Sequence, residues 1–231
     1  PPQKSHRGQK INKSPIQGIS ETLNIDYRTP KTLKDNHEEY EFLKELNADL
    51  AIVCAYGQII PENFLNLTKK GFVNIHASIL PSWRGAAPIQ RSIMNLDPET
   101  GISIMKIKKE LDSGPVSNIY KIKIDQNQNA QEISEKLSAL AAEKILDNVD
   151  DILEDKAKFI DQDHSKATYA KKIDKEESRI DWDEDASKII GKINGLFPSP
   201  GASFSFNGER YKILKAEIGN GIGQVGEIIS N

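Results

Sequence analysis

The sequence predicts an α/β domain with a parallel, two-sided sheet, followed by a shorter β-rich unit. Three observations carry that expectation. Apolar stretches of strand length alternate with amphipathic helical stretches through most of the chain. One of them, DLAIVCAYG, is a continuous apolar run of the kind that is buried on both faces. After Leu196 the pattern changes to short strands broken by Gly, Pro and an Asn-Gly pair.

The elements follow in order. The first twenty residues carry Lys4, Arg7, Lys10 and Lys13 with no acidic side chain, and Gly8 with Pro1 and Pro2 makes the start of the stretch loop-like. A solvated tail and a phosphate-binding arm are both open readings of it. SPIQGISETLNI predicts a short helix capped by Ser14 with Pro15 in its first position. NHEEYEFLKELN sets Tyr40, Phe42, Leu43 and Leu46 on a helical period, DLAIVCAYG is a buried strand, and PENFLNL is a short helix. GFVNIHAS is a second strand and AAPIQRSIMNL returns to helix. GISIMKIKKELDSGPVSNIYKIKI then predicts two strands around a turn at Asp112 to Pro115, a hairpin-like excursion.

The strongest helical stripe is Ile133, Leu137, Leu140, Ala141, Ile145, Val149 and Ile152, which should cover the sheet. Asp155 to Lys175 is polar and mixed in charge and reads as a linker. IDWDEDASKIIGKINGL is a helix with Asp183 near its start, and FPSPGASFSFNGERYKILKAEI gives short strands with a turn at Asn207-Gly208. These strands are too few to close a barrel by themselves.

Composition narrows the class. A chain of 231 residues with 37% hydrophobic and 28% charged residues can bury a core and is neither disordered nor fibrous. The formal net charge of −3 excludes a protein that is basic all over, though not a local basic patch. The longest apolar run is too short to span a bilayer and no secretory leader opens the sequence, so a cytoplasmic location without a membrane partner is expected. Cys54, the single cysteine, can form no internal disulfide and reads as a small buried hydrophobe. The chain starts at Pro1 with no strand-helix unit ahead of the basic stretch, which suggests a truncated start.

Two motifs point away from function. Gly221, Gly223 and Gly226 have the literal spacing of a dinucleotide fingerprint, but no helix comes after them, so a flexible turn is expected. Asp161, Asp163 and His164 have no second histidine and read as solvated linker, so no metal is expected.

NIHASILPSWRGAAPIQ is more informative. Alternation puts Asn74 and His76 on one face of a strand that ends near Ser78, because Leu80-Pro81 and Gly85 break the chain soon after it. Ligands of open α/β sheets bind at such strand ends. With Asp112 on a separate turn, this carboxamide, imidazole and carboxylate suit transfer to or from a carbonyl. Asn can donate to an oxyanion, His can stabilise it or carry protons, and Asp can orient the imidazole. No serine or cysteine nucleophile accompanies them, which fits direct attack by a substrate amine. A capping Asn, a satisfied core His and a turn Asp are the alternative reading of the same three residues.

NIHASILPSWRGAAPIQRSI followed by ETGISIMKIKKELDSGP resembles the formyltransferase family that uses 10-formyltetrahydrofolate. Its branch acting on initiator methionyl-tRNA is the most similar, through RGAAPIQRSI, ATYAKKIDKEESRIDW and FPSPGASF. The resemblance implies that Asn74, His76 and Asp112 are catalytic, and that the methionine amino group attacks the formyl carbon of the folate. Asn74 and His76 would stabilise the oxyanion, while Asp112 would hold His76 charged or position a proton-relaying water. Tyr56, Gly57, Gln58, Ile59 and Ile60, with Ser78, Leu80, Pro81 and Leu111, would contact the folate. Lys4, Arg7, Lys10 and Arg84 would contact the tRNA.

The same resemblance implies a Rossmann-like formyltransferase domain over residues 1–172, with its basic loop at 1–15, and the start of an OB-like tRNA-binding domain over 173–231. It further implies a monomer that binds no DNA and lacks both the family's opening strand and helix and the rest of its barrel. His-Ala-Ser at 76–78 stands where the wider family more often has His-Pro-Ser. A relative of the same fold acting on another substrate, a formyl hydrolase, and a tRNA-binding fragment without turnover are the rival readings.

Overall fold

In this computed structural model the described residues are 3–5, 10–221 and 223–229, with only the backbone of 3–5 and 10–12. The basic N-terminal stretch pairs β1 (Gln3–Ser5) with β2 (Lys10–Asn12) in antiparallel register, setting Lys4 opposite Ile11 and Lys10 opposite Ser5. It is thus a hairpin where a loop was expected, and Arg7 lies outside the described residues. Helix α1 (Pro15–Leu23) begins as its sequence predicts: the Ser14 hydroxyl accepts from the Gln17 N–H at 3.1 Å, and Pro15 occupies the first turn. Asn24, in the left-handed region, ends it. Asn36 caps α2 (His37–Glu45), and Tyr40 meets Phe64 edge to face.

The central sheet comprises β3 (Ala51–Val53), β4 (Phe72–His76), β6 (Glu99–Lys106) and β7 (Val116–Lys123), in the order β3-β4-β6-β7. Between them lie α3 (Glu62–Leu65), the two-residue strand β5 (Arg84–Gly85) and α4 (Pro88–Met94). The fold class is α/β, but the sheet is mixed: β3 and β4 run parallel, whereas β4, β6 and β7 alternate in direction. The short connection through Asp112 accounts for the reversal between β6 and β7, since a parallel return needs a crossover of a dozen residues or more, whereas β4 and β6 are joined by a longer segment that contains α4. Ile52 is 47% exposed and Cys54 is exposed, against the expectation of a buried strand and a buried thiol. β3 is the edge of the described sheet, so one of its sides has no neighbouring strand.

Helix α5 (Ala130–Leu153) is fixed by a capping box between Asn129 and Glu132. It packs Ala130, Ile133, Leu137 and Ala141 against Ile75 and Ile102 of the sheet and Ile93 of α4. The expected stripe departs at its end: Asn148 is buried, donating to the Tyr120 hydroxyl at 2.8 Å, and Val149 is only half-buried. The opposite face of the sheet is covered by Leu80, which packs with Met105 and Val116. Val73 and Ile75 therefore serve the α5 side, leaving Asn74 and His76 for the other.

Beyond α5, β8 (Tyr169–Ala170) pairs in parallel with β5. Asp185 precedes α6 (Ala186–Leu196), and Asp183 sits in the turn before it, donating its N–H to the Asp181 carboxylate. A Cβ on Gly195 would lie 2.6 Å from Cγ of Met94 and 3.0 Å from the Gln90 carbonyl, so glycine is what lets α6 reach α4. β9 (Ser203–Phe206) and β10 (Glu209–Lys212) form a hairpin around Asn207-Gly208, whose φ values of 50° and 81° are those of a type I′ turn. No helix comes after Gly221 to Gly226 among the described residues.

Candidate active site

The strand ends of β3 and β4 open on a cavity of about 680 Å³. Its walls include the 53–60 segment at the end of β3, the end of β4, Gly85 of β5, Ile102 and Met105 of β6, the Lys108 to Asp112 turn, and the faces of α4 and α5 that carry Gln90, Ser134 and Ser138. Asn74, His76, Asp112, Leu111 and all five residues from Tyr56 to Ile60 line it, so most of the anticipated site is brought together. Ile59 is 89% exposed at the rim, where apolar surface is available to a ligand.

His76 is almost fully buried, and its Nε2 lies 2.9 Å from the Trp83 carbonyl. A carbonyl only accepts, so Nε2 carries the proton and donates it. In the neutral ring the lone pair then sits on Nδ1, which faces Oδ2 of Asp112 at 3.7 Å. That separation is an ion-pair distance rather than a hydrogen bond. Asp112 is held in the left-handed region, φ 45°, which Asp tolerates better than most residues. Its Oδ2 accepts the Gly85 N–H at 2.8 Å. Gly85, at φ 118°, admits no side chain, because a Cβ would come within 2.8 Å of the Ala170 carbonyl.

Four anticipated contacts are placed elsewhere. Arg84, expected at the tRNA, is 3% exposed, and its guanidinium donates to Gln162 Oε1 at 3.1 and 2.7 Å and to His164 Nδ1 at 3.1 Å. Nε and Nη2 of this guanidinium are thus engaged within the protein. Ser78, Leu80 and Pro81, expected at the folate, do not line the cavity. Ser78 donates to the Ser82 carbonyl, Leu80 packs in the core and donates its N–H to Ser103, and the Pro81 carbonyl accepts from the Thr168 N–H. They brace the loop that carries Trp83 to Gly85. Lys4 and Lys10 lie on the N-terminal hairpin.

The residues that the sequence left unassigned belong to the supposed linker. Thr168 accepts the Trp83 N–H on its hydroxyl and the Arg84 N–H on its carbonyl, and the Ala170 carbonyl accepts from Ala86 and Ala87. Gln162 is buried and bonded on both ends. No apolar period marks these positions, and only the β-prone Ala-Thr-Tyr-Ala at 167–170 could have signalled a strand.

Cys54 and Tyr56 border the cavity with raised pKa values. Desolvation pushes the Cys54 thiol up, so at neutral pH it is a protonated thiol and a poor nucleophile. Burial, aided by the negative charge of Glu39, pushes the Tyr56 hydroxyl up and keeps it neutral. What remains for chemistry is a carboxamide, an imidazole and a carboxylate beside a mostly apolar wall: hydrogen-bond donors for an oxyanion and a site for one proton.

A family model described as formyl transferase matches residues 2–149, and one described as formyl transferase, C-terminal domain, matches 172–231. The methionyl-tRNA formyltransferase of Pelagibacter ubique (strain HTCC1062) is 67% identical over 231 residues, which is all of this chain and 74% of that protein. That of Dictyoglomus turgidum is 44% identical over 212 residues, 92% of this chain and 68% of the relative. Among solved structures, HypX from Aquifex aeolicus in complex with tetrahydrofolic acid superposes with a TM-score of 0.70 at 20% identity over 87% of this chain and 35% of its own. A 4-N formyltransferase from Francisella tularensis superposes with a TM-score of 0.70 at 22% identity over 87% and 82%. These likenesses are of fold, while the family models run from residue 2 to the last residue and leave only 150–171 unmatched. The chain belongs to the formyl transferase family.

Proposed function

We propose that this chain moves the formyl group of 10-formyltetrahydrofolate onto the amino group of methionine carried by initiator tRNA. The observation that carries the reading is the 67% identity to a methionyl-tRNA formyltransferase along the whole chain. It is supported by the convergence of Asn74, His76 and Asp112 on one cavity. Structural neighbours solved with tetrahydrofolic acid or with 5-N-formyl-THF are the reason to choose a folate as the donor. The cavity of about 680 Å³ lies within the ordinary range for a ligand of that size.

The mechanism is set by the donors. The methionine amine attacks the formyl carbon, forming a C–N bond and pushing the carbonyl electrons onto oxygen. The Asn74 carboxamide donates to this oxyanion. Nδ1 of His76, free while Nε2 stays on Trp83, takes the proton released by the new ammonium, directly or through water. The resulting imidazolium is balanced by Asp112, which the Gly85 N–H keeps in place. Collapse of the intermediate breaks the bond to the folate nitrogen, and His76 returns the proton to it. Every atom is accounted for without a covalent enzyme intermediate, which agrees with the raised, protonated thiol of Cys54.

In this reading residues 1–172 form the catalytic unit, while 173–231 begin a tRNA-binding unit in which Ala202 and Ile213, on either side of the β9-β10 hairpin, pack with Ile193 and Leu196 of α6. The basic N-terminal stretch, with Lys4, Arg7 and Lys10, contacts phosphates or bases of the acceptor end. The test is formyl transfer from 10-formyltetrahydrofolate to methionyl initiator tRNA, beside uncharged tRNA and a lane without acceptor that reports formate. Product confined to the charged tRNA is expected. Formate release without transfer would make the protein a hydrolase, and transfer to an amino sugar nucleotide instead would change the acceptor.

A further inference from the structure

We propose that Gln162 is a positioning residue for the transfer step, acting as a clamp on Asp112. This deepens the function proposed above and rests on it. Gln162 is 9% exposed and uses all four of its hydrogen-bonding positions. Its Oε1 accepts from Nε and Nη2 of Arg84 at 3.1 and 2.7 Å. Its Nε2 donates to the carbonyls of Asp112 and Gly114 at 2.9 and 2.7 Å. The amide orientation is forced, because a guanidinium has no acceptor and a carbonyl has no donor.

Asp112 is therefore gripped at both ends by one short segment. Its carbonyl is tied through Gln162 to the Arg84 side chain, and its carboxylate is tied to the N–H of Gly85, the next residue. The left-handed backbone of Asp112 needs such restraint, since a non-glycine residue holds that conformation only where its surroundings impose it. The target of the clamp is the gap of 3.7 Å between Oδ2 and Nδ1 of His76, which sets how well the imidazolium is met. Arg84 fits the same account: a guanidinium that is 3% exposed is paired with neutral acceptors, so it serves here as a fixed multidentate donor.

The discriminating variant is Gln162→Glu, of the same shape. It keeps an oxygen for Arg84 and sets the other against two carbonyls that only accept. Turnover should fall about 10- to 100-fold, with KM for the folate and for methionyl-tRNA within about threefold of the parent, as for a misplaced rather than a missing group. Amide hydrogen exchange supplies a second readout that needs no turnover. The Gly85 N–H should exchange roughly tenfold faster or more, while amides in the β6-β7 ladder keep their parent rates. Gln162→Asn, with the amide one methylene shorter, covers the case in which the glutamate variant does not fold, and it should show both effects more weakly.

Parental turnover, parental Gly85 exchange, or acceleration spread evenly over the whole sheet would each overturn the clamp. If the parent protein itself transfers no formyl group, the function fails while Gly85 exchange still decides the clamp.

Discussion

Asn74 and His76 sit two residues apart on one strand, yet they differ in how they are held. His76 is buried with one nitrogen fixed by Trp83, whereas Asn74 is half-buried on the cavity wall. Replacing Asn74 with Ala should lower turnover by two to three decades, about 3–4 kcal/mol of transition-state stabilisation, and leave folate affinity nearly unchanged. Turnover within twofold of the parent would remove Asn74 from the oxyanion. Cys54 gives a complementary prediction. Its raised thiol should alkylate more slowly than a free cysteine at neutral pH, speed up as the pH rises, and be shielded by a bound folate because it borders the cavity. Alkylation as fast as free cysteine would mean that its environment stabilises the thiolate. That Asn74, His76 and Asp112 border one cavity could be anticipated, because alternation along a strand and a turn carboxylate are local features. The fate of Arg84 could not, since its partners Gln162 and His164 lie about 80 residues away and no local pattern reports burial of a charge.

At the scale of elements, α4 is where the two halves of the chain meet. Arg91 on α4 makes a two-pronged pair with Glu177, at 2.5 and 2.9 Å, and also donates to the carbonyls of Lys171 and Lys172. The Arg91 guanidinium holds the Glu177 carboxyl below its ordinary value, aided by the Asp174 N–H. A lowered folded-state value stabilises the fold above the unfolded value, and the contribution is lost as pH falls through the folded one. Glu177→Gln should thus unfold more easily at pH 7, by on the order of 1 kcal/mol for a partly exposed pair, and match the parent in acid below the lowered value. A difference that is constant from pH 7 into acid would show that charge is not the cause. Helix caps at Ser14 and the Asn207-Gly208 turn were readable because each is settled within four residues. The edge position of β3 and the strand hidden in the polar 155–175 segment depend on partners far along the chain.

Taken whole, the molecule has a formal charge of −3 and must attract a polyanion through local basic features. If the basic N-terminal stretch grips phosphate, Arg7→Ala should raise the KM for methionyl-tRNA, reduce the salt slope of that KM by about one phosphate contact, and leave folate affinity alone. An unchanged KM at every salt concentration would return that stretch to a solvated appendage. Charge placement of this kind could be suspected from composition, while the course of the chain between the halves could not.

The pairing of β5 with β8 brings together segments separated by about 85 positions, and closing so long a loop costs conformational entropy until β6, β7 and α5 between them have folded and shortened it. During synthesis, the sheet strands and α5 emerge from the ribosome first, and Gly85 has no Ala170 to lie against until the segment after them is also out. A chain cut at residue 149, where the first family match ends, would keep the cavity walls and lose Gln162, Thr168 and Ala170. Such a shortened chain would keep the Gly85 N–H on the Asp112 carboxylate and lose the Gln162 tie on the Asp112 carbonyl. On the clamp proposed above, transfer would await the arrival of the 150–171 stretch that lies between the two family matches.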